Sequence, residues 1–231
     1  MRDFTRREFV WAGSALAGLA ASLLVPGGRT LSVGKANAAE ADFAESSCNS
    51  RDKVGKKVLV AYASRCGTTG GVAEAVGQTL RGTGASADVR LIGNVDDLGP
   101  YRSVIVGSAI RAGRWLPEAV DFVKKHHDRL GRVPTAYFVV CVTMKDDTPE
   151  NRGKVLAYLD PVRKEAPQMQ PANTGLFAGA VDFSKLSFVY RSMLKAKGVP
   201  EGDFRDWAAV RTWAADVAPT LLGTQLSSDA T

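Results

Sequence analysis

The residues best placed for chemistry lie in one short stretch, Ser64-Arg65-Cys66-Gly67-Thr68-Thr69. It follows the apolar run Val58-Leu59-Val60-Ala61-Tyr62 and precedes a stretch with Val72, Ala73, Val76 and Leu80 on one helical face. Strand, hydroxyl-rich turn and helix start together form an anion site. The first N–H groups of a helix have no partner within it, and they sit at the positive end of its dipole. The hydroxyls add donors, and Gly67 lets the backbone approach a ligand closely. No Lys follows the glycine, which excludes a lysine-bearing phosphate loop, and the three spaced glycines of a dinucleotide fingerprint are absent. The pattern suits a phosphate held by neutral donors. Cys66, at a helix start, is the most reactive-looking thiol, and its expected role beside such an anion is structural.

Two further stretches carry candidate binding groups. Ala109-Ile110-Arg111-Ala112-Gly113-Arg114-Trp115 combines backbone freedom at Gly113 with an aromatic face at Trp115. That face could stack on a planar ring or anchor the helix that begins at Pro117. Thr143-Met144-Lys145-Asp146-Asp147-Thr148 offers backbone N–H groups to the edge of a heterocycle, while Asp146 and Asp147 also suit a helix N-terminus. His126 and His127 are adjacent on a helix and diverge, so they form no i, i+4 metal pair, and no metal site is expected.

The elements that must position these groups alternate. Strands are expected at 58–62, 87–92, 103–108, 135–142 and 174–181, with the second at an edge. Helices are expected at about 70–82, 117–129, 149–164 and 206–221, with Thr148 as an N-cap and Pro117 and Pro149 as first helical residues. Trp207, Val210, Trp213 and Val217 share a face and read as core. Alternation of this kind predicts an α/β fold with a doubly wound parallel sheet, and ligands beyond the strand C-termini at the switch point. The loops 64–69, 109–116 and 143–148 should meet there.

On these residues the chain resembles the flavodoxin family. Ser64, Gly67, Thr69 and Ala73 match that family's phosphate-loop spacing, and Tyr62 is the aromatic that precedes it; Ala61 and Cys66 depart from the usual residues. The resemblance implies a five-stranded sheet of order 2-1-3-4-5 and FMN as cofactor. The implied FMN contacts are Ser64, Arg65, Cys66, Gly67, Thr68 and Thr69 at the phosphate. Ala109, Ile110, Arg111, Gly113, Trp115, Thr143 and Met144 are the implied contacts around the ring. Ile110-Arg111-Ala112-Gly113 and Lys124-Lys125-His126 are similar to the menaquinone-dependent protoporphyrinogen dehydrogenase branch, over roughly 57–222. That branch implies an FMN oxidoreductase working between a porphyrinogen-like donor and a quinone. The other reading is an exported flavodoxin-type carrier that docks to redox proteins and has no substrate of its own.

The remaining features set the context. The chain has 231 residues and a net charge of +6. Half of that charge lies in residues 1–38, where Arg2, Arg6, Arg7, Arg29 and Lys35 face only Asp3 and Glu8. What remains makes no case for a nucleic-acid partner. Thr5-Arg6-Arg7-Glu8-Phe9-Val10, the small apolar run from Val10 to Val25 and Ala36-Asn37-Ala38 read as a twin-arginine signal peptide. The expected location is therefore the periplasm or the outer side of the cytoplasmic membrane, with 39–56 as a linker and 223–231 as a flexible tail. Cys48, Cys66 and Cys141 lack metal spacing, and Cys141 sits in an apolar run. Phe183–Lys197 mixes aromatics with Lys185, Arg191, Lys195 and Lys197. It reads as a helix with one core face, or as a segment that lines a porphyrin or quinone cleft or lies on an anionic membrane.

Overall fold

The computed structural model describes residues 43–47 and 57–223. The stretch read as a signal peptide, most of the stretch read as a linker, Cys48 and the residues beyond Gly223 lie outside the described residues. Strand β1 (Lys57–Ala63) is buried on both faces, as a run of alternating but uniformly apolar residues requires at the centre of a parallel sheet. Helix α1 (Thr68–Gly82) returns the chain to β2 (Ser86–Leu91), which pairs parallel to β1 at the sheet edge. Then follow β3 (Ser103–Arg111), the two-residue β4 (Arg114–Trp115), α2 (Pro117–Leu130) and β5 (Thr135–Cys141). After these come α3 (Pro149–Ala157), α4 (Asp160–Glu165), β6 (Thr174–Ala178) and β7 (Ala180–Val181). The described chain ends with α5 (Phe188–Ala196), β8 (Gly202–Asp203) and α6 (Trp207–Leu222).

The five long strands run β2-β1-β3-β5-β6, all parallel, with β4 folded back antiparallel on β3. This is the expected 2-1-3-4-5 order with the short β4 inserted in the count. Leu59, Ala61 and Ala63 face one core, with α2, α3 and α4. Val58, Val60 and Tyr62 face the other, with α1 and α6. Two expected elements are interrupted. The 149–164 helix divides at 158–159, because Pro161 has no N–H to continue the ladder and instead opens α4. The 174–181 strand breaks at Gly179, beyond which β7 leaves the parallel sheet and pairs antiparallel with β8.

Within the stretch read as linker, residues 43–47 are docked on β2. Ser46 and Val89 exchange both backbone hydrogen bonds, at 3.1 and 2.7 Å. The Tyr62 hydroxyl donates to the Ala44 carbonyl at 2.9 Å, and the Glu45 carboxylate accepts from the Leu91 N–H. The edge strand is thereby covered by the chain's own backbone.

One row across the sheet sets the packing that holds the site. Tyr62, Gly107, Phe138 and Gly175 are consecutive partners on β1, β3, β5 and β6. Large rings alternate with glycines. A Cβ on Gly107 would lie 1.9 Å from the Phe138 ring, and one on Gly70 of α1 would lie 2.9 Å from the Tyr62 hydroxyl. The missing side chains are the space the aromatic rings fill, and this draws α1 close onto the sheet. Gly107→Ala is expected to lower unfolding free energy by about 1–3 kcal/mol, the usual cost of an overpacked core. Urea unfolding followed by circular dichroism measures it, and an unchanged midpoint would contradict the row.

Candidate functional site

A cavity of about 420 Å³ opens beyond the C-terminal ends of β1, β3 and β5. One end is the turn from β1 to α1. Gly67, at φ 80, holds the left-handed conformation that glycine adopts without strain, and its N–H donates to the Ser64 hydroxyl at 3.1 Å. Helix α1 thus starts with no side-chain cap and no acidic residue in its first turn. The other described α-helices each have one or the other. Thr148, Ser187 and Asp206 cap α3, α5 and α6, while Glu118 and Asp160 stand in the first turns of α2 and α4. Thr69 is fully buried, and its Oγ1 has no hydrogen-bond partner although it stands in the cavity wall. Donors without acceptors converge at this one place.

Ser64, Arg65, Cys66, Thr68 and Thr69 line this end of the cavity, and Gly67 faces an adjoining cleft shared with Gly71, Lys185 and Arg205. Arg65 is tied to Glu118 at 3.0 Å, an exposed pair that steadies the turn more than it stabilises the fold. Burial raises the Cys66 thiol above its ordinary pKa, against the pull of Arg111 and Lys185. It stands as a neutral thiol 3.8 Å from the Lys185 carbonyl. Cys141 is buried, and its thiol is raised for the same reason. Both are free cysteines.

The middle of the cavity is apolar, with Ala109, Ile110, Leu116, Val140 and Val142. Its far wall is a segment that sequence reasoning did not place at the phosphate end: Gly179–Asp182, then Lys185, Leu186, Ser187, Tyr190 and Leu194. The Arg111 guanidinium stacks on the Tyr190 ring, 4.7 Å from its centroid, and joins the end of β3 to α5. The signal for this wall was the mixed aromatic and basic composition of Phe183–Lys197.

Besides Gly67, four expected contacts are not on the lining. Ala112 (φ 51) and Gly113 (φ 71) form the tight turn between β3 and β4, so the freedom of Gly113 serves the hairpin. Pairing of Trp115 with Ile110 in that hairpin turns the indole into the core. There it is 2 % exposed and meets Tyr137 edge-on at 5.3 Å. Met144 is buried in the same core, and Thr143 hydrogen-bonds the Cys141 thiol. The loop 143–148 therefore supports α3, with Thr148 capping it and Asp147 paired to Arg152 at 2.6 Å. The aromatic ring that does reach the cavity is Tyr190.

The sequence model of the flavodoxin domain matches residues 59–204. The chain belongs to the flavodoxin domain family. Two curated relatives share one name, "Protoporphyrinogen IX dehydrogenase [quinone]". That of Leishmania major is 28 % identical over 174 residues, covering 70 % of this chain and 74 % of the relative. That of Escherichia coli K12 is 27 % identical over 184 residues, covering 71 % and 99 %. Among solved structures, a flavodoxin from the domain Archaea aligns with a TM-score of 0.42 at 17 % identity, over 71 % of this chain and 98 % of the other. Flavodoxin 2 from Bacillus cereus aligns with a TM-score of 0.41 at 19 % identity, over 71 % and 97 %.

A flavodoxin domain takes FMN, and the residues present fit it. The uncapped N-terminus of α1 and the unpaired Thr69 hydroxyl suit a phosphate, and the apolar middle suits a flat ring. Thr69→Val keeps the shape and removes the hydroxyl. We expect it to weaken FMN binding by roughly tenfold to a hundredfold, the range for one hydrogen bond to a charged group. Quenching of flavin fluorescence on titration measures this, and an unchanged affinity would contradict the assignment.

Proposed function

We propose that this flavodoxin-domain protein is an FMN-dependent oxidoreductase that passes electrons from an organic donor of the porphyrinogen class to a quinone. The observation that carries the reading is the second wall of the cavity. A carrier that only docks to other proteins needs its cofactor edge open. Here residues 182–201 leave the sheet between β7 and β8 and place Tyr190, Leu194, Leu186 and Lys185 across the cavity from the apolar strand ends. FMN would take the apolar middle of that space, and a conjugated, weakly polar donor would meet it at the edge. Arg111 and Lys185 lie at that edge, where they would meet carboxylates of a porphyrinogen. The shared name of the two relatives supports the same chemistry.

FMN, when bound, supplies the redox chemistry. The protein's own residues do the rest. Ser64, Thr68, Thr69 and the first N–H groups of α1 hold the phosphate. Ala109, Leu116, Val140 and Val142 keep the cavity apolar. Arg111, pinned on Tyr190, holds α5 in place, and this wall limits access of water. The twin-arginine pattern at Thr5–Val10 supports export of the folded protein, on the outer side of the cytoplasmic membrane.

The reading is tested on the chain from Ala39 onward, loaded with FMN and supplied with protoporphyrinogen. Porphyrin fluorescence should rise above a protein-free control only when a menaquinone analogue is present. No rise, with the flavin bound and reducible, would overturn the substrate assignment in favour of an electron carrier.

A further inference from the structure

Helix α5 is held by one side only. Tyr190 and Leu194, four residues apart, face the cavity together with Leu186 and Ser187. The opposite side is largely open to solvent. Phe188 and Val189 are 74 % and 77 % exposed, and Met193 is 39 % exposed. None of the nine residues of α5 is buried. Two large apolar side chains at consecutive positions of an exposed helix form a patch, where scattered single residues would need no explanation.

The charge around this patch has one sign. From Phe183 to Pro200 the chain holds Lys185, Arg191, Lys195 and Lys197 and no Asp or Glu. The carboxylates that bracket the segment are hydrogen-bonded to its first residues: Asp182 accepts from the backbone and hydroxyl of Ser184, and Glu201 accepts from the Phe183 N–H at 2.9 Å. The Lys195 ammonium lies over the Phe183 ring, 5.0 Å from its centroid, so its charge stays at the rim of the patch. Apolar residues flanked by cations on a short amphipathic helix are the composition of an interfacial anchor. One face of a nine-residue helix is also far below the roughly 800 Å² per partner that a stable protein interface buries.

We propose that α5 docks on an anionic lipid surface, with Phe188 and Val189 entering the boundary between headgroups and acyl chains and Lys185, Arg191, Lys195 and Lys197 meeting lipid phosphates. Among the described residues no helix is long and apolar enough to cross a membrane, so this contact is peripheral. The other side of the same helix walls the cavity, so docking holds the cavity one helix away from the bilayer. That consequence deepens the proposed function, since a quinone resides in the bilayer; the docking itself does not rest on it.

The experiment is vesicle sedimentation with the chain from Ala39 onward. This chain retains every described residue and both cores and lacks the apolar run Val10–Val25, which would bind lipid on its own account. It should pellet with vesicles of phosphatidylcholine mixed with phosphatidylglycerol and stay in the supernatant with phosphatidylcholine alone. High salt should release it. The double substitution Phe188→Asp and Val189→Asp should lower the partition at least about tenfold. FMN content should not change, because neither side chain lines the cavity. Equal binding of the double variant, or no binding to anionic vesicles, would overturn the proposal. So would a dimer in sedimentation velocity that the same double variant dissolves. Loss of flavin from the parent protein would instead contradict the FMN reading and leave the vesicle result standing.

Discussion

A helix that begins without an acceptor of its own leaves several N–H groups to be met by something else. Helix α1 begins this way. Gly67 occupies the cap position and has no side chain, the Ser64 hydroxyl is used on the Gly67 N–H, and the Thr69 hydroxyl is buried with nothing to bond. Burying unsatisfied donors costs free energy, and an anion of the right size removes the cost. The rest of the molecule is arranged to keep that site in place. Strand β1 is buried on both faces and delivers the turn to the end of the sheet. Tyr62 sits between Gly107 and Gly70, so α1 lies close on the strand that precedes it. An acidic residue in the first turn of α1 would satisfy the dipole and repel the ligand, and the sequence has none there.

The second determinant is the departure of the chain from the sheet at Gly179. A continuous strand over 174–181 would have run past the cavity. The break allows β7 to pair with β8 and sends 182–201 outward and back as an arm. That arm has little core of its own. It is secured at its base by Asp182 and Glu201 and at its tip by the stack of Arg111 on Tyr190. Few buried contacts and a polar base are the physical marks of a segment whose local stability is low. The fold accepts that low stability in return for a cavity with two walls.

The sheet was legible because its strands are uniformly apolar and its turns are rich in glycine and hydroxyls. Hydrophobic runs, Thr148 as a cap and Pro117 and Pro149 as helix openings need no tertiary information. The phosphate loop was legible for the same reason, since its chemistry is local. The ring site was not. Whether Trp115 faces a ligand or a core depends on the two-residue turn at Ala112 and Gly113, which reverses the chain onto β3. Both residues carry positive φ there, and an alanine in that conformation announces nothing in sequence. The loop 143–148 likewise looks free to bind until its residues are seen to cap α3 and shield Cys141. Tyr190 was visible only as one aromatic among several in a basic stretch, because the break at Gly179 that aims it depends on pairing between β7 and β8.

The central claim is that the cofactor is held chiefly through its phosphate. The most direct test is the ratio of affinities for FMN and for riboflavin, which differ only by that group. If the turn and the N-terminus of α1 hold the phosphate, two or more charged hydrogen bonds separate the ligands, and FMN should bind at least about a hundredfold more tightly. Equal affinities would mean that the uncapped helix start is not the anchor, and the assignment of Ser64, Thr68 and Thr69 would fall with it.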